Sequence, residues 1–562
     1  MKTSISSWTK SGSPWVWLNA GAVAICVIMV VSLIALIAVR GLAHFWPADV
    51  IHATYTQQDQ KRVVIGEVVQ SEDVPATQLR DSGIKVEAGI ESLERKLLKT
   101  GNRDVGGIDF NWVIARNLSD VSKPAMLFSA ERYEWGNLYG YLRSIKQQGK
   151  ELASYSGYEK TAQYMQLWQQ LNDSVDRATK IRADILRIEK DDIGHINHAL
   201  ERLRLDQRRL EIDNEATPSA LQAIAEETAV LQAAYKKLED QLISLYQMIN
   251  RDSITVEVST GQVIEVEVAH IVRIFRANDM STGEKIIHYG AKLWEFVSED
   301  PREANTEGGI FPAIFGTVMM VILMSIMVTP FGVIAAVYLS EYAKQGFTTR
   351  LIRIAVNNLA GVPSIVYGVF GLGFFVYVLG GSIDQLFYPE ALPSPTFGTG
   401  GLLWASITLA LLTVPVVIVA TEEGLSRIPG SLKEGSLALG ATKAETLFKV
   451  ILPMTSPAMM TGVILAIARA AGEVAPLMLV GVVKLAPTLP LNMNYPYLHL
   501  DQKIMHLGFH IYDVGFQSPN VEAARPLVYA TAFLLILVIA LLNLSAVAIR
   551  NKLREKYKAL EM

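Results

Sequence analysis

A single cysteine, Cys26, stands in 562 residues, so no disulfide framework and no cysteine metal cluster can form within this chain. It lies in an apolar run and reads as a small buried side chain. Positive charge is not in excess either. The chain carries 51 Lys and Arg against 55 Asp and Glu, a net charge of -4, which argues against a nucleic-acid partner. G-x-x-x-x-G-K-[ST] is also missing. Its nearest approach, from Gly435, puts Ala441 where the phosphate-binding lysine is required. The chain is therefore expected to hydrolyse no ATP itself. Between Arg40 and Gly309 no apolar run is long enough to cross a bilayer.

Such runs do occur elsewhere. Half the residues are hydrophobic although 19% are charged, a mixture that implies two populations, apolar spans and a polar part. Val16–Val39 is uncharged and long enough to span. It exceeds a signal-peptide core, and "RGLAHFWP" is no small-residue cleavage site, so it reads as a retained anchor. Ile310–Leu339, Leu359–Leu379, Leu402–Thr421, Pro457–Val482 and Leu527–Ile549 complete six predicted spans. Pro330 and Pro415 inside them are tolerable, because neighbouring helices resatisfy the freed backbone groups. Lys344, Arg350 and Arg353 follow the second span, Arg427, Lys433, Lys443 and Lys449 the fourth, and Arg550 to Lys558 the sixth, whereas Gly380–Gly400 has no cation. By the positive-inside rule both termini are cytoplasmic and the 40–309 insert lies outside, in the periplasm.

Within that insert, Leu221, Ile224, Thr228, Leu231, Tyr235, Leu238, Leu242, Leu245 and Ile249 keep a 3-4 alternation, the seam of a coiled-coil helix. A looser stripe runs from Ile181 to Leu203. Thr217 and Pro218 between them suit an N-cap and first helical position, so an antiparallel helical hairpin is expected near 164–250. "SITVEVSTGQVIEVEV" alternates around Ser259–Gly261 and predicts strand, turn, strand; "KRVVIGEVV" suggests a further strand. His195 and His198, three apart, suit either a metal or simple solvation, and nothing else in the insert has ligand spacing. The fold class is a six-span α-helical membrane protein with a large α+β insert. Its parts are 1–15 N-terminal segment, 16–39 anchor, 40–309 insert, 310–549 membrane core and 550–562 basic tail.

The polar segment between spans four and five carries definite local signals. Ser431 and Glu434 fit a capping box, Gly440 can stop the first helix, and Thr442 with Glu445 form a second box. Ala444, Leu447, Phe448 and Ile451 share one face of the next helix, which Pro453 should end. Two short capped helices with a glycine bend suit either docking in a partner's groove or lying on lipid headgroups.

This stretch, "EGSLALGATKAETLFKVILP", resembles the EAA motif of ABC importer permeases, E-A-A-x-x-x-G followed by nine residues and I-x-L-P. Glu434, Gly440, Leu452 and Pro453 fall in register, while Gly435, Ser436 and Val450 depart by small or branched exchanges. The resemblance implies that the loop, 430–453, fits a cleft on an ATPase subunit, with Glu434, Gly440, Leu447, Phe448, Leu452 and Pro453 carrying the coupling. "GGIFPAIFGTVMM", "YLSEYA", "GVPSIVYGVFGLG" and "ARAAGEVAPLMLVG" are similar to the PstA-type permeases of the bacterial phosphate importer, more than to the PstC type. It covers roughly Gly308–Ile549 and leaves the insert without a counterpart. It implies a homologous PstC-like permease, a PstB-like ATPase dimer holding ATP and Mg, a PstS-like phosphate-binding protein and an inner-membrane location in lipid. Arg469 and Glu473, four apart and expected near the middle of span five, are costly in lipid and should face protein or water. They are read either as a phosphate contact and its restraint or as a structural ion pair. Sulfate or molybdate transport, and a membrane sensor built on the outer hairpin, are the alternative functions. The sensor is disfavoured by the five further spans and by the lack of a signalling domain expected behind the tail.

Overall fold

A computed structural model describes residues 12–57, 60–81, 89–518 and 521–557 of the chain. Residues 1–11 of the N-terminal segment and 558–562 of the basic tail lie outside that description. Six helices are long and apolar enough to cross a membrane: Trp15–Phe45, Phe311–Tyr342, Ser364–Phe387, Leu402–Ser426, Lys443–Ala471 and Ala524–Glu555. Their number matches the apolar runs, but two of them are displaced from the predicted positions.

The third span does not begin at Leu359. An amphipathic helix, Phe347–Leu359, ends there, and the span restarts at Ser364 behind Pro363. Proline disfavours helix in the residue before it, and a hydropathy window cannot register that break. The fifth span is not Pro457–Val482 but Lys443–Ala471, so it starts inside the polar loop and stops earlier. Nor does Pro453 end a helix. A π turn at Leu447–Ile451 sends the Leu452 N–H to the Leu447 carbonyl, and the helix continues from Leu452 to Ala471 through the proline. The π turn shifts the hydrogen-bond register by one residue just ahead of a residue with no N–H to give.

Span four is the most enclosed helix, lying between spans two and five. Span one touches chiefly span six. Gly41 makes that crossing possible: a Cβ there would lie 2.5 Å from the Ala530 nitrogen. Cys26 sits on span one with its side chain exposed rather than buried, because no other described residue buries that stretch of the helix.

The insert places two antiparallel sheets above the membrane part. The first has strands β1 (Val50–Gln57), β2 (Gln60–Pro75), β3 (Ser92–Lys99), β4 (Phe110–Ile114) and β5 (Leu118–Ser122) in the order β4-β3-β2-β1-β5. The second has β6 (Phe128–Arg132), β7 (Leu138–Gln147), β8 (Lys150–Ser154), β9 (Asp252–Glu257), β10 (Val263–Glu267) and β11 (Ile271–Phe275), ordered β10-β9-β7-β6-β11 with β8 on β7. Strand β9 alternates buried and half-buried residues, as a half-covered strand should. Its turn into β10 uses Gly261 at φ +77°.

Helices α1 (Ala162–Arg187) and α2 (Ile193–Ile212) run on through a π turn at Ile188–Asp192, and α3 (Pro218–Ile249) returns beside them. Thr217 caps α3 through the Ala220 N–H at 3.3 Å, with Pro218 first in the helix. On α3 every residue of the heptad stripe is at least half covered, Tyr235 being the most exposed at 36%. Helix α2 does not stand free. It packs on Pro389–Ala391, behind span three. His195 Nδ1 lies 2.7 Å from Asn494 Oδ1 in the loop before span six, and the His198 and His499 rings stand edge to face at 5.9 Å. The two histidines are thus joints between insert and membrane part. Among the described residues no group of His, Cys, Asp and Glu is placed to hold a metal. Helix α4 (Thr282–Ser298), started by a Ser281–Glu284 capping box, closes the insert against spans one, two and six through Phe296.

Glycine placement in span three follows from how closely it approaches the segment behind span five. A Cβ on Gly368 would lie 2.6 Å from the Pro476 Cα, whereas one on Gly373 meets nothing within 4 Å. Gly368→Val should therefore destabilise the membrane part by about 1–3 kcal/mol or more through overpacking. Gly373→Ala should leave it within about 1 kcal/mol. Thermal unfolding of the two variants in detergent checks this, and equal melting temperatures would refute the close contact.

Candidate functional site

The loop between spans four and five lies on the face opposite the insert. Its first helix, α5 (Gly430–Ala438), begins behind Pro429 with no side-chain cap, so Ser431 and Glu434 do not form the expected box. Pro429 caps the helix two residues earlier and places both residues inside it. The stop is as expected. Gly440 sits at φ +87°, its N–H donates to the Leu437 carbonyl at 3.0 Å, and the Ala441 N–H donates to Ser436 at 3.3 Å. These two bonds are a Schellman closure. Thr442 and Glu445 form the second capping box in both directions. The Ser436 and Thr446 hydroxyls, 2.9 Å apart, tie the two helices together.

The predicted apolar face divides. Leu447 and Ile451, each 3% exposed, pack on Leu425 in the membrane core, with Val337 and Ile428 beside them. Leu447 is thus an internal anchor and not part of an open face. Phe448 is 72% exposed and Leu439 91%. Glu434 is exposed as well, with no hydrogen bond or ion pair to another described residue. Leu452 and Pro453 are half covered. The free edge of the loop therefore carries Glu434, Leu439 and Phe448, while its other edge is built into the protein.

What holds that second edge went unrecognised in the sequence. Glu341, in the π turn that ends span two, pairs with Lys433 and accepts from Lys443 through its carbonyl oxygen. The Lys443 ammonium also lies 4.4 Å from the Tyr342 ring centroid, a cation–π contact. "YLSEYA" and the loop are thus one unit. A glutamate at the end of an apolar span, followed in a later loop by lysines, is the only sequence signal for it.

Arg469 and Glu473 come together at 3.7 Å, Nε to Oε1, with side chains 32% and 19% exposed. They are not at the middle of a continuous helix. The helix ends at Ala471, so Arg469 is in its last turn and Glu473 lies beyond the break. A short turn at Leu477–Val480 follows. The break lies against the restart of span three, where Gly368 meets Pro476 and the Tyr367 hydroxyl donates to the Leu359 carbonyl at 2.6 Å. Two interrupted helices thus meet beside one arginine whose carboxylate partner is at long range. A guanidinium so placed keeps N–H groups for an oxyanion.

Gly440→Ala isolates the loop's backbone requirement, because a Cβ there meets nothing within 4 Å. The left-handed conformation should cost alanine about 1–2 kcal/mol. Amide exchange over residues 430–446 should then rise by about 5–30-fold while the melting temperature of the membrane core holds. Unchanged protection would refute the closure.

Residues 328–555 match the family model described as "Binding-protein-dependent transport system inner membrane component". The chain is 34% identical over 245 residues to "Phosphate transport system permease protein PstA 1" of Mycobacterium tuberculosis, covering 43% of this chain and 71% of that one. It is 31% identical over 255 residues to "Probable phosphate transport system permease protein PstA" of Methanocaldococcus jannaschii, covering 45% and 79%. Against "Phosphate transport system permease protein PstA" of Yersinia pestis it is 31% identical over 257 residues, 46% and 77% of the two chains. Among solved structures, one of the MetNI methionine ABC transporter in an inward-facing conformation aligns with 49% of this chain and 99% of that one, at 18% identity and a TM-score of 0.33, a likeness too distant to argue from.

Proposed function

This chain belongs to the PstA-like permeases of ABC importers, multi-pass proteins of the inner membrane, and from that premise we propose that it carries inorganic phosphate inward. The energy comes from ATP, with Mg, hydrolysed on a PstB-like subunit dimer; this chain contributes no catalytic residue. A PstC-like permease completes the membrane path, and a PstS-like protein delivers phosphate from the insert side. The insert is periplasmic and both termini are cytoplasmic, an orientation that the placement of Lys and Arg supports.

The observation that carries the coupling is the two-sided build of the loop. Leu447, Ile451 and the Lys433–Glu341 pair fix one edge to the membrane core, and Glu434, Leu439 and Phe448 stand free on the other. A partner gripping the free edge would move a rigid unit. Because the second short helix is continuous with span five, that displacement passes along the helix that carries Arg469 in its last turn. Gly440, Leu452 and Pro453 shape the loop and its entry to the span. Arg469 meets the phosphate, and Glu473 competes with the ligand for the guanidinium, which keeps dwell time short. Sulfate or molybdate suits the same arginine, but the relatives' names favour phosphate.

The test uses the full complex in liposomes. ATP hydrolysis should be stimulated by phosphate-loaded binding protein and not by a sulfate-loaded cognate one. Stimulation by the sulfate pair alone would overturn the substrate. Glu434→Lys should abolish uptake with membrane insertion intact, because it reverses charge on an exposed side chain without internal partners; normal uptake would sink the coupling assignment.

A further inference from the structure

A cavity of about 800 Å³ lies where the insert meets spans one and six. Its floor is Arg40, Trp46 and Leu527 at the span ends, and its roof is the first sheet, with Glu67 and Asp109. Most of its charges are already matched. Lys99 pairs with Glu307 at 3.2 Å, Arg103 with Glu303 at 2.8 Å, and Lys292 with Glu131 at 2.8 Å.

Among the described residues four lining charges are not matched: exposed Glu134, Arg40 at the membrane end, and Glu67 and Asp109 at the first sheet. Arg40, in the last turn of span one, has among the described residues only the Tyr529 ring, 5.9 Å away. Glu67 accepts from the Ser129 hydroxyl at 3.5 Å and from the Tyr139 hydroxyl, and has no cation within pairing distance among the described residues. Asp109 has a buried Oδ1 without a hydrogen-bond partner. Burial raises both carboxyl groups above their ordinary range, more than the Lys99 charge lowers them. The cavity thus offers an unpaired guanidinium at the membrane end and two under-compensated carboxylates farther out.

Below it, a second, apolar groove of about 370 Å³ runs along the insert-side half of span six. Leu42, Leu293, Phe533 and Leu537 line it, and Phe45 belongs to both walls. An occupant of both spaces has an apolar tail at bilayer depth, an anionic group near Arg40 and a cationic, hydrogen-bond-donating group beyond it. We propose that this junction binds one glycerophospholipid with a phosphoethanolamine headgroup, its phosphate on Arg40, its ammonium on Glu67 and Asp109, and an acyl chain in the groove past Phe45. The requirement for a donating ammonium comes from the carboxylates, which a quaternary ammonium can neutralise but not hydrogen-bond. The site is independent of which anion the protein transports.

Native mass spectrometry of the full-length chain released from detergent tests this directly. Phosphatidylethanolamine, phosphatidylcholine and phosphatidylglycerol of identical acyl chains are titrated in turn. One phosphatidylethanolamine should bind with a Kd about tenfold lower than either of the others. Arg40→Ala and Asp109→Asn should each weaken it about fivefold or more, with the near-ultraviolet circular dichroism unchanged. Equal binding of phosphatidylglycerol would mean that Arg40 merely reaches lipid phosphate as any interfacial arginine does, and would overturn the proposal. Equal binding of phosphatidylcholine would remove the role of the carboxylates and overturn it too. Soluble glycerophosphoethanolamine should fail to compete at equal concentration; effective competition would show a free zwitterion site and refute the lipid. The selectivity of the wild-type chain decides the matter even where a variant does not fold.

Discussion

A helix whose end is packed inside protein leaves amides and carbonyls that water cannot reach, so the neighbouring chain must satisfy them. Span five stops in this way at Ala471, and much of the membrane part is arranged around that stop. Gly472 and Glu473 donate back to Arg469 and Ala470 at 3.3 and 3.2 Å. The next residues are stitched sideways: Gly401 N–H to Val480, Ile504 N–H to Gly481, Val483 N–H to Ile504 and Leu403 N–H to Leu500, all at 2.8–3.1 Å. The loop before span six therefore does not hang in solvent. It fills the space above the stop and supplies its hydrogen bonds.

Close approach is the condition for this stitching, and it explains the glycines. Cβ atoms on Gly400, Gly401 and Gly481 would each fall within 2.7 Å of backbone on the facing segment. Gly371 meets the Thr408 hydroxyl at 2.4 Å in the same sense. The interrupted helix thus imposes small residues on three segments far apart in sequence, and it leaves Arg469 at a helix end rather than on an unbroken cylinder. A charged side chain there sits among polar backbone and another break, not against hydrocarbon, which offsets part of the roughly 2.5–3.5 kcal/mol that an arginine costs at a helix centre.

The same feature marks where sequence reading succeeds and fails. Apolar runs are summed over many residues, so six spans were legible, as were Gly440 and the Thr442–Glu445 box, whose signals lie within four residues. The break at Gly472–Pro476 lay in a run that stays apolar on both sides, so hydropathy merged helix, break and turn into one span and put Arg469 at its middle. Periodicity placed Leu447 and Phe448 together, although the π turn rotates the helix at that point and Leu425 takes only one of them. Glu341 was missed because its partners are Lys433 and Lys443, about a hundred residues away. His195 and His198 read as solvated because the loop that covers them lies nearly three hundred residues on.

Those histidines bear on how the insert relates to the membrane part. It is joined to the loop before span six at more than one place: His195 to Asn494, His198 against His499, and buried Asn305, whose side chain donates to the Lys484 carbonyl at 2.9 Å and to Asp513 at 3.2 Å. Lys484 in turn pairs with Asp513 at 3.1 Å. The loop so gripped is the one stitched to the stop in span five through Gly481, Val483 and Ile504. A continuous covalent and hydrogen-bonded path thus runs from the hairpin through this loop to Arg469 and down span five to the Thr442 cap. Coupling free energies are reciprocal. If span five has two arrangements that differ in the hairpin's contacts, a partner on the loop biases the hairpin by the same coupling free energy with which a partner on the hairpin biases the loop. The insert is therefore held to the membrane part by these side-chain contacts as well as by its covalent link to span one.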